Sequence, residues 1–421
     1  MFPISRFVPL IFFFFLQTFL PANLIAQRHE IKDIRLHTLQ VKVNDDPLAP
    51  PVLHLGKTDH IEISFDEFSH EYHRYIYKVE QCNADWTLND ELFESDYLNG
   101  FNGEPIDDFE KSFNTTFLYT HYWLTIPNEY VSLKLSGNYL LTIYNDEGDE
   151  PIPVITVCFY VVEDGVSIDA TVSSNTDIDY NKSHQQVTMS IRYGTIKVIN
   201  PRRELHTAVM QNRRRDNCVV NAEPNIITNT KIEFTHCREL IFEAGNEYHK
   251  FEILDLHVPT LNVDRLQWFD PYYHATLLED KPAKNYISTE DQNGAFVIRT
   301  YGDIDNDITS DYVFTHFTFK SPQIAGGDIY LNGAWTYNRF TPDLRMTYNR
   351  QTEAYEAVAL LKQGYYNFNY LFVHDNEDVG TTAPTDGNFY ETENEYIILV
   401  YHRPVGGRYD KLVGYRRMIF K

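Results

Sequence analysis

Ser136-Gly137-Asn138-Tyr139-Leu140-Leu141-Thr142 is a glycine leading into a tyrosine-marked, alternating strand. The phrase returns as Ala244-Gly245-Asn246-Glu247-Tyr248-His249-Lys250-Phe251 and again as Gln363-Gly364-Tyr365-Tyr366-Asn367-Phe368-Asn369-Tyr370. The three glycines lie about 110 and about 120 residues apart, each interval close to the ~100 residues of an immunoglobulin-like sandwich. In such sandwiches a tyrosine near the start of a late strand turns its hydroxyl back onto the preceding corner, and the glycine permits a tight entry. The repeat predicts a string of β-sandwiches, and with it a scaffold before a catalyst.

Period-two patterning runs through the rest of the chain. Ile61-Glu62-Ile63-Ser64-Phe65, Tyr75-Ile76-Tyr77-Lys78-Val79, Val154 to Val161, Val187-Thr188-Met189-Ser190-Ile191 and Phe314 to Phe319 all alternate as strands with one buried face, and helical periodicity is scarce. Turn clusters such as Asn145-Asp146-Glu147-Gly148-Asp149-Glu150 and Asp291-Gln292-Asn293-Gly294 separate them. The fold class is therefore all-β, with tandem immunoglobulin-like/early-set β-sandwich domains. The expected borders are 1–26 for a leader, 27–162 for the first sandwich, 163–300 for the second and 301–421 for the third.

The leader reads as a secretory signal peptide. Arg6 precedes an apolar run from Phe7 to Leu20, too short for a comfortable membrane span, and Ala26 gives a cleavage point before Gln27. No later stretch approaches the ~20 apolar residues of a spanning helix. A net charge of −24 repels phosphate backbones and argues against nucleic acid as a partner. Four cysteines in an exported chain admit three full pairings. Their placement favours Cys82 with Cys158 and Cys218 with Cys237, and buried free thiols read the same in sequence.

Signals for chemistry are weak. No Gly-x-Ser-x-Gly elbow, phosphate-cradling loop or His-Glu-x-x-His helix occurs. In Ser69-His70-Glu71-Tyr72-His73 the histidines are three apart, on opposite faces of an extended chain. Asp303-Ile304-Asp305-Asn306-Asp307-Ile308 begins like a calcium loop, but Ile308 and Phe314 stand where a glycine and a glutamate are needed. The expectation is a non-enzyme with no cofactor and no metal. Two basic clusters stand out against the acidic whole: Arg213-Arg214-Arg215, and Arg403, Arg408, Arg416 and Arg417 near the C-terminus. Read functionally, they form basic faces for an acidic partner; read plainly, they are solvated hairpin ends.

Asp328 to Trp335, Met346, Tyr355 to Leu361 and Gly364 to Phe372 together resemble the early-set sandwich related to starch- and glycogen-binding modules. That resemblance makes Trp335 a candidate glycan contact, with core packing as the plain reading, and gives the alternative of a periplasmic or surface glycan-binding module.

A more specific resemblance covers the chain from about Ile31 to the C-terminus. Tyr77-Lys78-Val79-Glu80-Gln81-Cys82-Asn83-Ala84-Asp85-Trp86, then Tyr97-Leu98-Asn99-Gly100-Phe101, Ser112-Phe113-Asn114-Thr115-Thr116, Tyr119-Thr120-His121-Tyr122, Ile126-Pro127-Asn128 and Leu135-Ser136-Gly137-Asn138-Tyr139 resemble, in order, the first domain of the type IX secretion system plug proteins of Bacteroidota. Gln81 departs from the family, where a histidine is expected before the cysteine. The resemblance implies a periplasmic protein on the periplasmic face of the outer membrane, without a transmembrane segment of its own. Its implied partner is the outer-membrane type IX translocon barrel, whose periplasmic mouth it closes, and it implies no catalytic residues.

Overall fold

The computed structural model describes residues 28–302 and 305–421, so the expected signal peptide at 1–26 lies outside the described residues. Strands account for 47% of the structure and helix for 5%, which makes the protein all-β. In the first sandwich, Leu36–Val43, Ile61–Glu67, Thr120–Ile126 and Phe109–Lys111 form one sheet. The other is centred on Gly137–Asn145, between Tyr75–Cys82 and Ile152–Val162. Alternate residues from the two sheets, among them Ile63, Phe65, Tyr77, Val79, Tyr122, Leu124, Tyr139, Leu141 and Phe159, bury one another. This is the inward half of a period-two pattern.

The sheets of the other two sandwiches divide the chain differently from the expected borders. Strand Asn394–His402 runs antiparallel to Leu205–Gln211, with Leu205 opposite His402 and Gln211 opposite Tyr396, and Lys411–Phe420 flanks it. Facing this sheet are Ser167–Ser173, His184–Arg192 and Lys231–Phe234. Tyr396, Ile398 and Val400 pack on Val187, Ile191 and Phe234, so the second sandwich is built from both ends of its sequence. The third sandwich is inserted between them. One of its sheets is centred on Gly364–His374 and the other on Tyr312–Phe319 and Ala354–Lys362. The border drawn at 300/301 falls inside this sandwich, between Phe296–Ile298 and Tyr312–Phe319, and 301–421 is not one module. The alternation of Asn394–His402 declares a buried strand but not the sheet that takes it.

The glycine–tyrosine phrases resolve into two kinds. The Tyr139 hydroxyl donates to the Leu135 carbonyl at 2.8 Å, and the Tyr366 hydroxyl to the Lys362 carbonyl at 2.6 Å. Both are tyrosine corners reaching four residues back. Gly137 has φ 134°, which a side chain resists, and a Cβ on Gly364 would meet the Val297 carbonyl at 2.4 Å. Tyr248, by contrast, stands ahead of strand His249–Ile253, where the chain leaves the second sandwich for the third.

All four cysteines are free thiols, and neither expected bridge is present. Cys82 lies opposite Asn138 and Cys158 opposite Leu140, on the two strands flanking Gly137–Asn145. Two strand spacings, ~9.6 Å, separate them, beyond the ~7 Å that a disulfide spans. Cys237 belongs to the core of the second sandwich, whereas Cys218 packs on its other side against the first.

Candidate partner surface

The arginine cluster expected to face a partner is turned inward. Arg213 makes a bidentate pair with Glu395, at 2.7 and 3.2 Å, and donates to the Leu48 carbonyl at 2.6 Å, tying the second sandwich to the first. Arg214 is buried, pairs with Asp216 at 2.5 Å and donates to the Gly380 carbonyl of the third sandwich. Burial pushes the Asp216 carboxyl up, but Arg214 outweighs it and holds it below the usual carboxylate range. Arg215 lies over the rings of Trp86 and Tyr160 at 4.8 and 5.2 Å. Arg403 pairs with Glu91 at 2.8 Å and Arg408 with Asp96 at 2.9 Å, again between the first and second sandwiches. Arg417 shares Glu395 at 2.6 Å, while Arg416 is exposed and has no ion pair among the described residues. Six of the seven candidate arginines thus have partners within the protein, although Arg408 and Arg417 stay exposed.

A buried polar cluster that sequence reasoning missed joins the first and third sandwiches. Lys362 Nζ lies 2.5 Å from Asp66 Oδ2 and donates to the Asp307 carbonyl, with the Tyr119 ring 4.2 Å away. His121 meets Asp66 Oδ1 at 2.6 Å, and the Tyr312 hydroxyl donates to Asp66 Oδ2 at 2.6 Å. Burial raises Asp66, but Lys362 and then His121 outweigh it, leaving the carboxyl below its ordinary range. Nearby, Asp311 accepts from the backbone N–H groups of Thr116 and Phe117 at 2.7 and 3.1 Å. The available signal was a lysine closing the apolar run Ala357 to Leu361, with nothing to say what it pairs with.

The same junction carries an aromatic surface. Phe117 of the first sandwich stacks on Tyr272 of the third, ring centroids 4.3 Å apart, and meets Phe314 edge-on at 6.2 Å. Phe314 stacks on His274 at 5.0 Å, and Phe269 meets His274 edge-on at 5.1 Å. Val358 continues the stripe beside His316 on the neighbouring strand, and Leu360 lies beside Phe314. Phe269 is 56% exposed, Val358 49% and Leu118 56%. A contiguous apolar stripe crossing two modules, on a chain with net charge −24, has the composition of an interface core.

Comparison with known proteins supplies the family. Residues 36–163 match the model for the type 9 secretion system plug protein 1st domain. The chain belongs to the type IX secretion system plug family. A crystal structure of a hypothetical protein from Parabacteroides merdae ATCC 43184 is similar over nearly its whole length: 42% identity, 93% of this chain and 99% of that one covered, TM-score 0.90. The Streptococcus agalactiae AgI/II polypeptide BspA C terminal domain aligns at 6% identity with a TM-score of 0.18, too low to carry an argument. No curated protein matches. Membership of the plug family supports a role related to type IX secretion.

In this plug-family chain the other candidate residues are structural. Trp335 is 9% exposed, donates its indole N–H to the Asn367 carbonyl at 3.0 Å and stacks on Phe317 in the core of the third sandwich. Its low exposure and its place in the core favour the packing reading over a glycan contact. His70 contacts the Ser112 carbonyl at 2.9 Å, and His73 contacts Glu67 at 2.8 Å. Asp303 and Ile304 of the calcium-like run lie outside the described residues; Asp305 accepts from the Asp307 N–H, and Asp307 from Gln40. Among the described residues no three His, Cys, Asp or Glu side chains group as metal ligands, and no helix is long and apolar enough to cross a membrane.

Proposed function

We propose that the protein is a non-enzymatic plug that closes the periplasmic mouth of the type IX translocon barrel in the outer membrane. The observation that carries this reading is the pairwise locking of the three sandwiches. Asp66–Lys362 ties the first to the third, Arg213 with the Leu48 carbonyl ties the first to the second, and Arg214 with the Gly380 carbonyl ties the second to the third. Three modules joined at three interfaces resist the relative motions that tandem domains otherwise make. A pore wide enough for folded cargo leaks solutes unless a stiff body fills its mouth, and filling it needs no chemistry.

The aromatic stripe of Phe117, Tyr272, Phe314 and Phe269 is the face assigned to the barrel in this reading. Its modest extent suits a contact that is made and released rather than permanent. The test is isolation of the translocon barrel from native membranes with the plug tagged, alongside outer-membrane permeability in a deletion strain. Co-isolation, lost with Phe269→Ser/Val358→Asp in a folded protein, and a leaky deletion strain are expected. Unchanged permeability with an idle, unplugged barrel overturns the reading.

A further inference from the structure

Where the three sandwiches meet, they line a partly open cavity of about 130 Å³. That is close to the ~150 Å³ of an engineered cavity that admits benzene. Its walls are largely apolar and come from all three modules, including Leu39, Val41, Pro51, Met210, Phe296 and Ile397. Three arginines, Arg28, Arg213 and Arg215, also line it, and Arg213 is already paired with Glu395.

Arg215 is the unusual wall residue. It lies over the rings of Trp86 and Tyr160, yet no carboxylate stands within ion-pair distance of it among the described residues. Its polar contact among the described residues is with the Tyr160 hydroxyl, which leaves most of the five guanidinium N–H donors without a protein acceptor. Arg215 is half-buried and lines the cavity. Arg28 donates to the Asn338 carbonyl at 2.5 Å, but its Nε is buried without a partner among the described residues. Asn293, another wall residue, has an unpartnered Oδ1.

Neighbouring groups do not neutralise this charge. Asp216, whose field reaches Arg28, is already held by Arg214 at 2.5 Å and by the Gly380 N–H at 3.0 Å. Glu395 is taken by Arg213 and Arg417. His29 accepts from the Cys158 N–H at 3.1 Å, and burial, then the charge of Arg215, push it down to about 4, so it is neutral near pH 7. A half-buried cation against apolar walls with unmade hydrogen bonds is favoured when something anionic completes it.

We propose that this cavity binds a compact amphipathic carboxylate, its head on the Arg215 guanidinium and its apolar group against Leu39, Pro51 and Phe296. The volume sets that group at about four to six carbons. Small-ligand sites have this composition of apolar walls with a few convergent polar groups, and such a ligand braces all three modules at once.

The probe is 4-fluorobenzoate, followed by fluorine NMR on the whole protein with 4-fluorobenzamide as the neutral comparator. Saturable binding of the benzoate below about 1 mM is expected, at least tenfold tighter than the amide, with at least a tenfold loss in Arg215→Met. A measurement on the unaltered protein covers the case of a variant that does not fold: a nuclear Overhauser effect between the ring protons and the carbon-13-labelled Met210 methyl. No saturation by about 10 mM, equal binding of the amide, or binding without contact to Met210 overturns the proposal. None of these readouts depends on the translocon.

Discussion

Lys362 Nζ and Asp66 Oδ2 lie 2.5 Å apart with both side chains buried, 296 positions separated in sequence, and they join the third sandwich to the first. Removing one partner of a buried pair strands the other, which costs about 3–5 kcal/mol. Lys362→Met is therefore expected to lower the urea unfolding midpoint strongly. Replacing both, as Asp66→Leu with Lys362→Met, costs less than the single change. A double variant as damaged as the sum of the singles contradicts this.

The carboxylates at the module junctions set the acid limit of the fold. Asp66, Asp216 and Glu395 are all held below their ordinary range, in each case because cationic partners outweigh the effect of burial. A depressed carboxylate contributes stability that is present above its unfolded pKa, about 4, and is lost as pH falls towards its folded value. Unfolding midpoints are expected to fall steeply below about pH 4, with the Arg213→Met/Arg417→Met variant losing the Glu395 share of that slope.

Glu247 acts in the opposite sense. It sits where both chain crossings between the second and third sandwiches meet, accepting from the Tyr286 hydroxyl at 2.5 Å and the Glu393 N–H at 3.1 Å. Burial pushes its carboxyl up to about 7. A raised carboxyl contributes stability that is full below the unfolded pKa of about 4.3 and fades as pH rises through about 7. Glu247→Gln is expected to flatten the decline in unfolding midpoint between pH 5 and 8.

The two tyrosine corners are separable by single changes. Tyr139→Phe and Tyr366→Phe each leave the ring in place and remove one bond, to Leu135 and Lys362 respectively. A loss of about 1 kcal/mol each is expected from denaturant melts. Tyr248→Phe, which breaks no corner, provides the comparison.

Thiol titration checks the cysteines. Burial pushes Cys82 and Cys158 up to about 12 and Cys218 up to about 11, so almost no thiolate is present near neutral pH. Four thiols are expected to react in denaturant, and far more slowly in the native protein. Fewer than four in denaturant means that a bridge has formed.

The sequence announced local features and hid long-range ones. Alternation at Ile61 to Phe65 and Gly137 to Asn145 identified strands, because a half-buried strand writes its two faces into neighbouring residues. Nothing comparable marks the pairing of Leu205 with His402, since register with a distant strand leaves no local trace. The arginines were misread for the same reason. Arg213-Arg214-Arg215 looks basic when its neighbours in sequence are counted, but Asp216, Glu395, Trp86 and Tyr160 surround it in space. The aromatic stripe was invisible because Phe117, Tyr272 and Phe314 come from three separate segments.

Strand Asn394–His402, shared with Leu205–Gln211, also fixes an order of events. A chain made N-terminus first delivers half of the second sandwich, then the entire third, and only then the strands that finish the second. Until Asn394–His402 arrives, the edge of Leu205–Gln211 stands open and Val187 and Phe234 lack their cover, and Lys411–Phe420 then closes the far side of that strand. Asn394–His402 and Lys411–Phe420 are therefore the latch of the second sandwich, and a ribosome or protease that stops short of them leaves a sticky, half-shut intermediate for quality control to find.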